Sequence, residues 1–326
     1  MRYISQSVIY IVLGLCGLSM IVPFLWMITT AFKSQLEVNK GNVGFIPIDD
    51  YHVYHATEGD YVVKILKADG DSTFVHIFDE FGNIERAYAR VPGNAIEHRR
   101  ELNFHWANFQ TAFKKVPFGR YFLNTIFVSV LTLLGVMITS SLAAYAFARM
   151  KFAGKDALFY LFVSMMMVPQ PIYLIPSYIF LDKLGWIDTY QALIIPWIAN
   201  IFTIFLLRQQ FKTIPQDLFD AASIDGCSRF RILWQIVLPL SKSVIATASI
   251  FSIIGSWNSF MWPLVMTNSP ARRVLQVGLS YFAQESSSMT TLLMAASTFS
   301  ILPLIILFLF AQKQIIASVA SSGLKG

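Results

Sequence analysis

The chain has 326 residues, of which 55% are hydrophobic and only 13% charged, against about a quarter charged in ordinary soluble domains. That composition excludes a soluble globular protein, and several runs approach the roughly 20 apolar residues that cross a bilayer. The net charge of +6 conceals an asymmetry: residues 34–105 carry 7 Lys+Arg against 12 Asp+Glu and all five histidines, whereas the rest carries 18 against 7. The acidic stretch therefore reads as a separate module. The basic remainder is accounted for by cytoplasmic loops of a membrane protein and requires no nucleic acid.

Six spans are predicted, at residues 8–32, 121–147, 158–180, 192–207, 244–266 and 292–310. The first is too long for a signal peptide, and Thr29-Thr30-Ala31-Phe32 is a poor cleavage site, so it is expected to be retained. The fourth is short and contains Pro196, which predicts a kink or an offset start. Arg149, Lys151 and Lys155 flank the second-to-third connection. Arg208, Lys212, Arg229 and Arg231 fill the fourth-to-fifth, and Lys313 and Lys325 follow the sixth. By the positive-inside rule these are cytoplasmic and so are both termini, although Arg272 and Arg273 fall outside. The division expected is a first helix at 1–33, an external β-rich insert at 34–105 and a membrane core at 106–326, with a cytoplasmic loop at 209–239.

Within the insert, 61–67, 72–78 and 84–91 read as a three-stranded meander with turns at Ala68-Asp-Gly-Asp71 and Phe81-Gly-Asn83, joined by Tyr51-His-Val-Tyr-His55. It is too small for a sizeable core of its own. His52 and His55 stand on opposite faces of a strand, so no metal site is assigned. Cys16 lies in the first apolar run and Cys227 in a polar loop, an arrangement that suits neither a disulfide nor a metal. The Met165-Met-Met167 run reads as packing. There is no phosphate-binding loop and no recognisable catalytic motif.

The most informative segment is the long cytoplasmic loop. Thr213 followed by Gln216 has the spacing of a capping box, with Pro215 in the first turn. Asp217 and Asp220 suit the positive end of a helix. Ala221 and Ala222 offer a small face for close approach by another protein, and Gly226 lets the helix end. A second amphipathic segment, Arg229 to Val237, is expected to stop at Pro239. The string Asp220-Ala221-Ala222, then Asp225-Gly226, Ile236 and Leu238-Pro239, resembles the EAA loop of ATP-binding-cassette (ABC) importer permeases, with Asp in place of the first Glu. Further strings have the same order and spacing: Trp106-Ala-Asn-Phe109, Tyr121-Phe-Leu-Asn-Thr125, Ala143-Ala-Tyr-Ala-Phe-Ala-Arg149, Asp188-Thr-Tyr190, Trp257-Asn-Ser-Phe260 and Ser321-Ser-Gly-Leu-Lys-Gly326. The chain thus resembles the carbohydrate-uptake branch, close to the second permease of maltose-type importers.

The resemblance implies an all-α polytopic fold with six transmembrane helices of the type I importer kind, carrying a small external β insert. It implies a bacterial cytoplasmic membrane protein that moves a sugar inward. Its EAA loop would be a coupling helix docked on the ATPase. The implied partners are a homologous second permease, two copies of an ATP-binding subunit and an extracytoplasmic sugar-binding protein. ATP and Mg would be held by the ATPase and no cofactor by this chain. The external loop at 267–291 corresponds to one that reaches the binding protein, and Lys325 lies in a tail that contacts the ATPase pair. The insert, longer than the usual first external loop of the family, is read as a docking surface for the binding protein.

Polar groups within spans face protein or water rather than lipid. Asn124, Gln170, Asn200, Trp257 and Asn258 have two readings: helix-to-helix hydrogen bonding, or a sugar pathway in which amides bond hydroxyls and rings stack on sugar faces. Asn124, Trp257 and Asn258 are the pathway candidates. A secondary transporter would need ionisable groups central to the spans, and none is evident. A membrane-embedded enzyme would need a carboxylate pair in the insert.

Overall fold

The computed structural model describes residues 2–41, 44–56, 59–78, 84–284 and 289–323. The turn expected at Phe81-Gly-Asn83 and the tail residue Lys325 lie outside these. The chain divides into two compact units, residues 1–118 with 278–301, and residues 119–277 with 302–326.

In the first unit, helix α1 (Arg2–Ala31) contains a 23-residue apolar stretch, Ile9–Ala31. Every residue from Ile11 to Leu25 is exposed. A helix apolar on all sides is a lipid-facing helix. Its C-terminal carbonyls have no partners within the helix, and Asn108 supplies them: its Nδ2 donates to Ala31 O and Lys33 O at 2.9 and 2.8 Å. The Phe32 ring packs among Phe104, Trp106 and Phe109.

Between these points lies a five-stranded antiparallel sheet of order β4-β3-β2-β1-β5. Its strands are β1 (Ile48–Ala56), β2 (Gly59–Asp69), β3 (Ser72–Phe78), β4 (Ile84–Pro92) and β5 (Ile96–Leu102). The Asp69-Gly70 signal does form the β2–β3 turn, with Gly70 at φ 60°. Alternation in β3 buries Val75 and Ile77 against Val63 and Val91. The sheet has two more strands than the meander alone. β5 (Ile-Glu-His-Arg-Arg-Glu-Leu) is almost wholly charged and exposed, so it lacks the alternation that marks a half-buried strand. The β1–β5 pairing brings His98 beside His52 and Glu97 beside His55.

Asp49 on β1 is 1% exposed and ties the sheet to the chain that leaves it, accepting from His105 Nε2 at 2.8 Å and Asn103 Nδ2 at 2.9 Å. Burial opposes its ionisation, but the bonds from His105, Asn103 and Ser34 outweigh it and hold the carboxyl below its ordinary range. A carboxyl depressed in the fold stabilises above the unfolded value of 3.8, and that stabilisation is lost as pH falls through the folded value. Limited proteolysis of the full chain is expected to cut residues 44–105 faster at pH 3 than at pH 6. Asp49→Ala, which strands two half-buried donors, is expected to cost about 1 kcal/mol and to give that susceptibility at pH 6.

In the second unit, α4 (Phe118–Arg149) is a single unbroken helix. The third predicted span is not: α5 (Lys155–Ser164) and its extension to Met167 meet α6 (Gln170–Lys183) at 102°. Pro169, with φ −69° and ψ 139°, lacks an N–H and forces the break. The fourth comprises α7 (Tyr190–Ile194), a 3₁₀ turn holding Pro196, and α8 (Ile201–Thr213), so its helix starts late as the proline predicts. Asn200 caps α8 by accepting from Thr203 N at 2.8 Å. The fifth is also corrected: α12 (Lys242–Trp257) ends nine residues early, and the chain turns through Asn258 before α13 (Met261–Met266). The 267–291 segment includes α14 (Leu275–Gln284), and α15 (Thr290–Gly323) contains the sixth span; both helices have residues in each of the two units. Among the described residues four helices are long and apolar enough to cross a membrane, up to six if each bent pair is one span.

α4 crosses the start of the fourth segment at very short range. A Cβ added to Gly135 would lie 2.4 Å from Ile198 Cγ2, so only glycine fits. Thr139 Oγ1 donates to Ile198 O and Ser140 Oγ to Asn200 O.

Candidate coupling surface and membrane cavity

The polar loop folds as a short helix, α9 (Gln216–Ile224), followed by a second helical segment. Thr213 is not the cap: its Oγ1 donates back to Gln210 O at 2.8 Å and closes α8, and Pro215 stands at the N-cap of α9. Gln216 instead donates to Asp220 Oδ1 at 2.9 Å. The C-terminus follows the glycine signal. Asp225 is the C-cap and Gly226 has φ 74°. Gly226 N donates to Ser223 O and Cys227 N to Ala222 O, at 3.1 and 2.9 Å, which is a complete Schellman motif.

Beyond it, α10 (Arg229–Ile232), a π turn over Leu233–Val237 and α11 (Leu238–Leu240) run on as one segment. Pro239 does not stop it. The π turn re-routes the hydrogen bonds just where the proline lacks a donor, and the break comes at Ser241, where the chain turns 85° into α12.

Ala222 faces inward with Phe219, one helical turn apart, in a cluster with Tyr145, Phe159, Phe211, Ile232 and Leu233. The small outward face read for the Ala pair is therefore Ala221 alone. The free surface is apolar but not small: Leu218, Ile224 (86% exposed), Phe230 and Trp234. Asp220, Asp225 and Pro239 are exposed, while Ile236 and Leu238 pack partly against the inner cluster.

Two arginines, Arg208 read from the sequence only as a charge marker and Arg149 also as the end of a family-matching string, fix this loop. Arg149, at the end of α4, donates Nη2 to Phe211 O (2.7 Å) and to Ile214 O, and Nη1 to Gln216 Oε1 (3.1 Å). Its guanidinium lies 4.1 Å over the Phe219 ring. Arg208, 6% exposed, donates Nε to Phe147 O and Nη2 to Asp156 Oδ1, and lies 3.7 Å over the Phe159 ring. The planar guanidinium suits both carbonyl forks and aromatic faces. The signal was the terminal Arg of Ala143-Ala-Tyr-Ala-Phe-Ala-Arg149.

The three pathway candidates separate. Asn124 is used in full within the protein, donating to Ala271 O and Arg273 O (3.0 and 2.8 Å) and accepting from Tyr190 Oη (2.8 Å). Trp257 is buried edge-on against Phe122. Asn258 is exposed and, with Gln170 and Asn200, lines a cavity of about 380 Å3. Nearby, Asp188 (φ 61°) accepts from Asn268 N and Ser269 N at 3.0 Å. Burial raises its carboxyl, but these backbone donors win and hold it below the usual range. Among the described residues no group of His, Cys, Asp and Glu could hold a metal.

Membrane-length helices, a pinned loop with an exposed apolar face and a cavity lined by uncharged residues describe a membrane-embedded chain with a surface for another protein. The chain belongs to the family of binding-protein-dependent transport system inner membrane components, whose model matches residues 135–321. It is thus the permease subunit of an ABC importer, with ATP hydrolysis on a separate subunit. It is 34% identical to the arabinooligosaccharides transport system permease protein AraQ of Bacillus subtilis over 64% of this chain and 74% of that one. It is 35% identical to the trehalose/maltose transport system permease protein MalG of Thermococcus litoralis over 64% and 76%. A crystal structure of a bacterial ABC transporter involved in the import of the acidic polysaccharide alginate shares the fold, with TM-score 0.69, 21% identity and coverage of 95% of this chain and 96% of that one. The two chains are thus nearly equal in length, so a chain extended this far beyond the usual family length is not peculiar to this protein.

Ala222→Trp is expected to overpack the inner cluster by about 1–3 kcal/mol, lowering the melting midpoint of the purified chain. Ala221→Trp on the outer face leaves that midpoint unchanged. Gly226→Ala, which meets no atom within 4 Å, is expected to cost about 1 kcal/mol from backbone strain alone.

Proposed function

We propose that this chain is one of two homologous permeases of a bacterial cytoplasmic-membrane importer for a sugar or oligosaccharide. The observation that carries this reading is the α9 face, apolar, outward and pinned to the spans by Arg149. An apolar patch held rigidly on a polar loop is a protein-docking surface. Here the occupant is the ATP-binding subunit, present in two copies, one under each permease. ATP and Mg stay on that subunit. The sugar class rests on the relatives named for arabinooligosaccharide and trehalose/maltose transport.

The bent pair α5–α6 counts as one crossing and α12 as another, while the 229–240 segment stays with the cytoplasmic loop, giving six spans. The basic residues around α9 put that loop and both termini in the cytoplasm, and the sheet outside. There its acidic rim meets the loaded sugar-binding protein, a role that affects encounter rate and salt dependence above all. Closure of the ATPase pair on ATP pulls α9, the spans rearrange, and the sugar enters.

Ile224→Asp places a charge in the centre of the docking face. It is expected to reduce co-purification of the ATP-binding subunit at least roughly tenfold while the chain still accumulates in membranes; undiminished co-purification would remove α9 from the interface. For orientation, single cysteines are introduced with Cys16 and Cys227 replaced by Ser. One at Ser72 is expected to react with an impermeant reagent on intact cells, and one at Ser228 only after the membrane is opened. The opposite pattern would reverse the direction of transport.

A further inference from the structure

The cavity in the membrane-spanning region has a composition more specific than its size. It lies among α4, the start of α6, the segment from α7 to the N-cap of α8, α12 and α13, and at about 380 Å3 it falls within the range of small-molecule sites. No Asp, Glu, Lys, Arg or His lines it. Its polar groups are hydroxyls and amides, among them Thr132, Gln170, Asn200, Ser252 and Asn258, and the rings of Trp197, Phe251 and Phe260 complete the wall.

The wall offers donors and acceptors in mixture, together with flat apolar faces. A neutral sugar ring presents the same mixture, hydroxyls around its rim and C–H groups on its faces. A carboxylate or phosphate would be desolvated here with no cation to compensate it.

We propose that this cavity is a subsite for a neutral glycosyl unit and excludes uronates and phosphorylated sugars. The inference rests on the reading of the chain as a sugar permease and specifies the chemistry of its cargo. It separates this chain from the fold relative that handles an acidic polysaccharide.

Gly255 provides the test. It lines the cavity, and a Cβ there meets nothing within 4 Å. Gly255→Leu therefore starts its side chain into open space and removes a flexible residue from a helix. The probes are xylobiose, maltose and cellobiose against digalacturonate and glucose 6-phosphate. They are read by saturation-transfer NMR on the full chain in nanodiscs of deuterated lipid. At least one neutral disaccharide is expected to receive transfer roughly tenfold above either anion. That transfer is expected to vanish in Gly255→Leu at a melting midpoint no lower than that of the parent chain. Ser252→Arg, which adds a cation to the wall, is expected to bring digalacturonate in. No transfer to any neutral probe, equal transfer to the anions, or transfer that survives Gly255→Leu would each overturn the proposal. Stimulation of ATP hydrolysis by the binding protein, measured on the importer purified with its own partners, tests the permease reading without the cavity. Stimulation intact with discrimination absent overturns the subsite alone, and absent stimulation overturns the permease reading.

Discussion

One side chain governs the cytoplasmic end of this protein. α8 ends with carbonyls that no helix can satisfy, and Arg149, arriving from the end of α4, takes two of them, at Phe211 and Ile214. A charge-assisted bond is shorter and stronger than a neutral one. The same guanidinium covers the Phe219 ring, so the first turn of α9 is fixed to the end of a different span. Without that cross-connection α9 would be a nine-residue helix in water, too short to persist alone. With it, and with Phe219 and Ala222 in the inner cluster, the loop is an extension of the membrane helices.

This explains which parts of the loop were legible. The glycine stop and the acidic first turn are local effects, and the sequence states them directly. The inward turn of Ala222 depends on its spacing from Phe219, which a string match to Ala221-Ala222 overlooks. Thr213 illustrates the competition at a helix junction: the same hydroxyl can begin one helix or close another, and spacing alone does not decide. Pro239 reads as a stop because a proline removes a donor, yet a π turn ahead of it absorbs the defect and carries the segment to Leu240.

The membrane segments were legible in position but not in continuity. Hydropathy registers apolar side chains and is blind to the backbone, so 158–180 and 244–266 look uniform although Pro169 and Asn258 interrupt them. Those interruptions border the cavity, where Gln170 and Asn258 expose polar groups that a continuous helix would have buried against a neighbour or presented to lipid. Asn124 carried the same residue-type signal and went to the opposite use, spending its amide on Tyr190 and on two carbonyls near Ala271. β5 was missed because its charged side chains hide a strand that only its pairing with β1 defines.

The contact between Gly135 and Ile198 has a mechanical consequence. Near this crossing Thr139 and Ser140 also hold the backbone of residues 198–200, so α4 and the start of α8 are pinned there. About 20 Å further along each helix, at 1.5 Å per residue, Arg149 pins the same two helices again. Two rods fastened together at two separate points cannot slide past one another between them. A displacement applied at α9 is therefore delivered to Asn200, on the cavity wall, as rigid travel of the pair and is not dissipated as shear along the way.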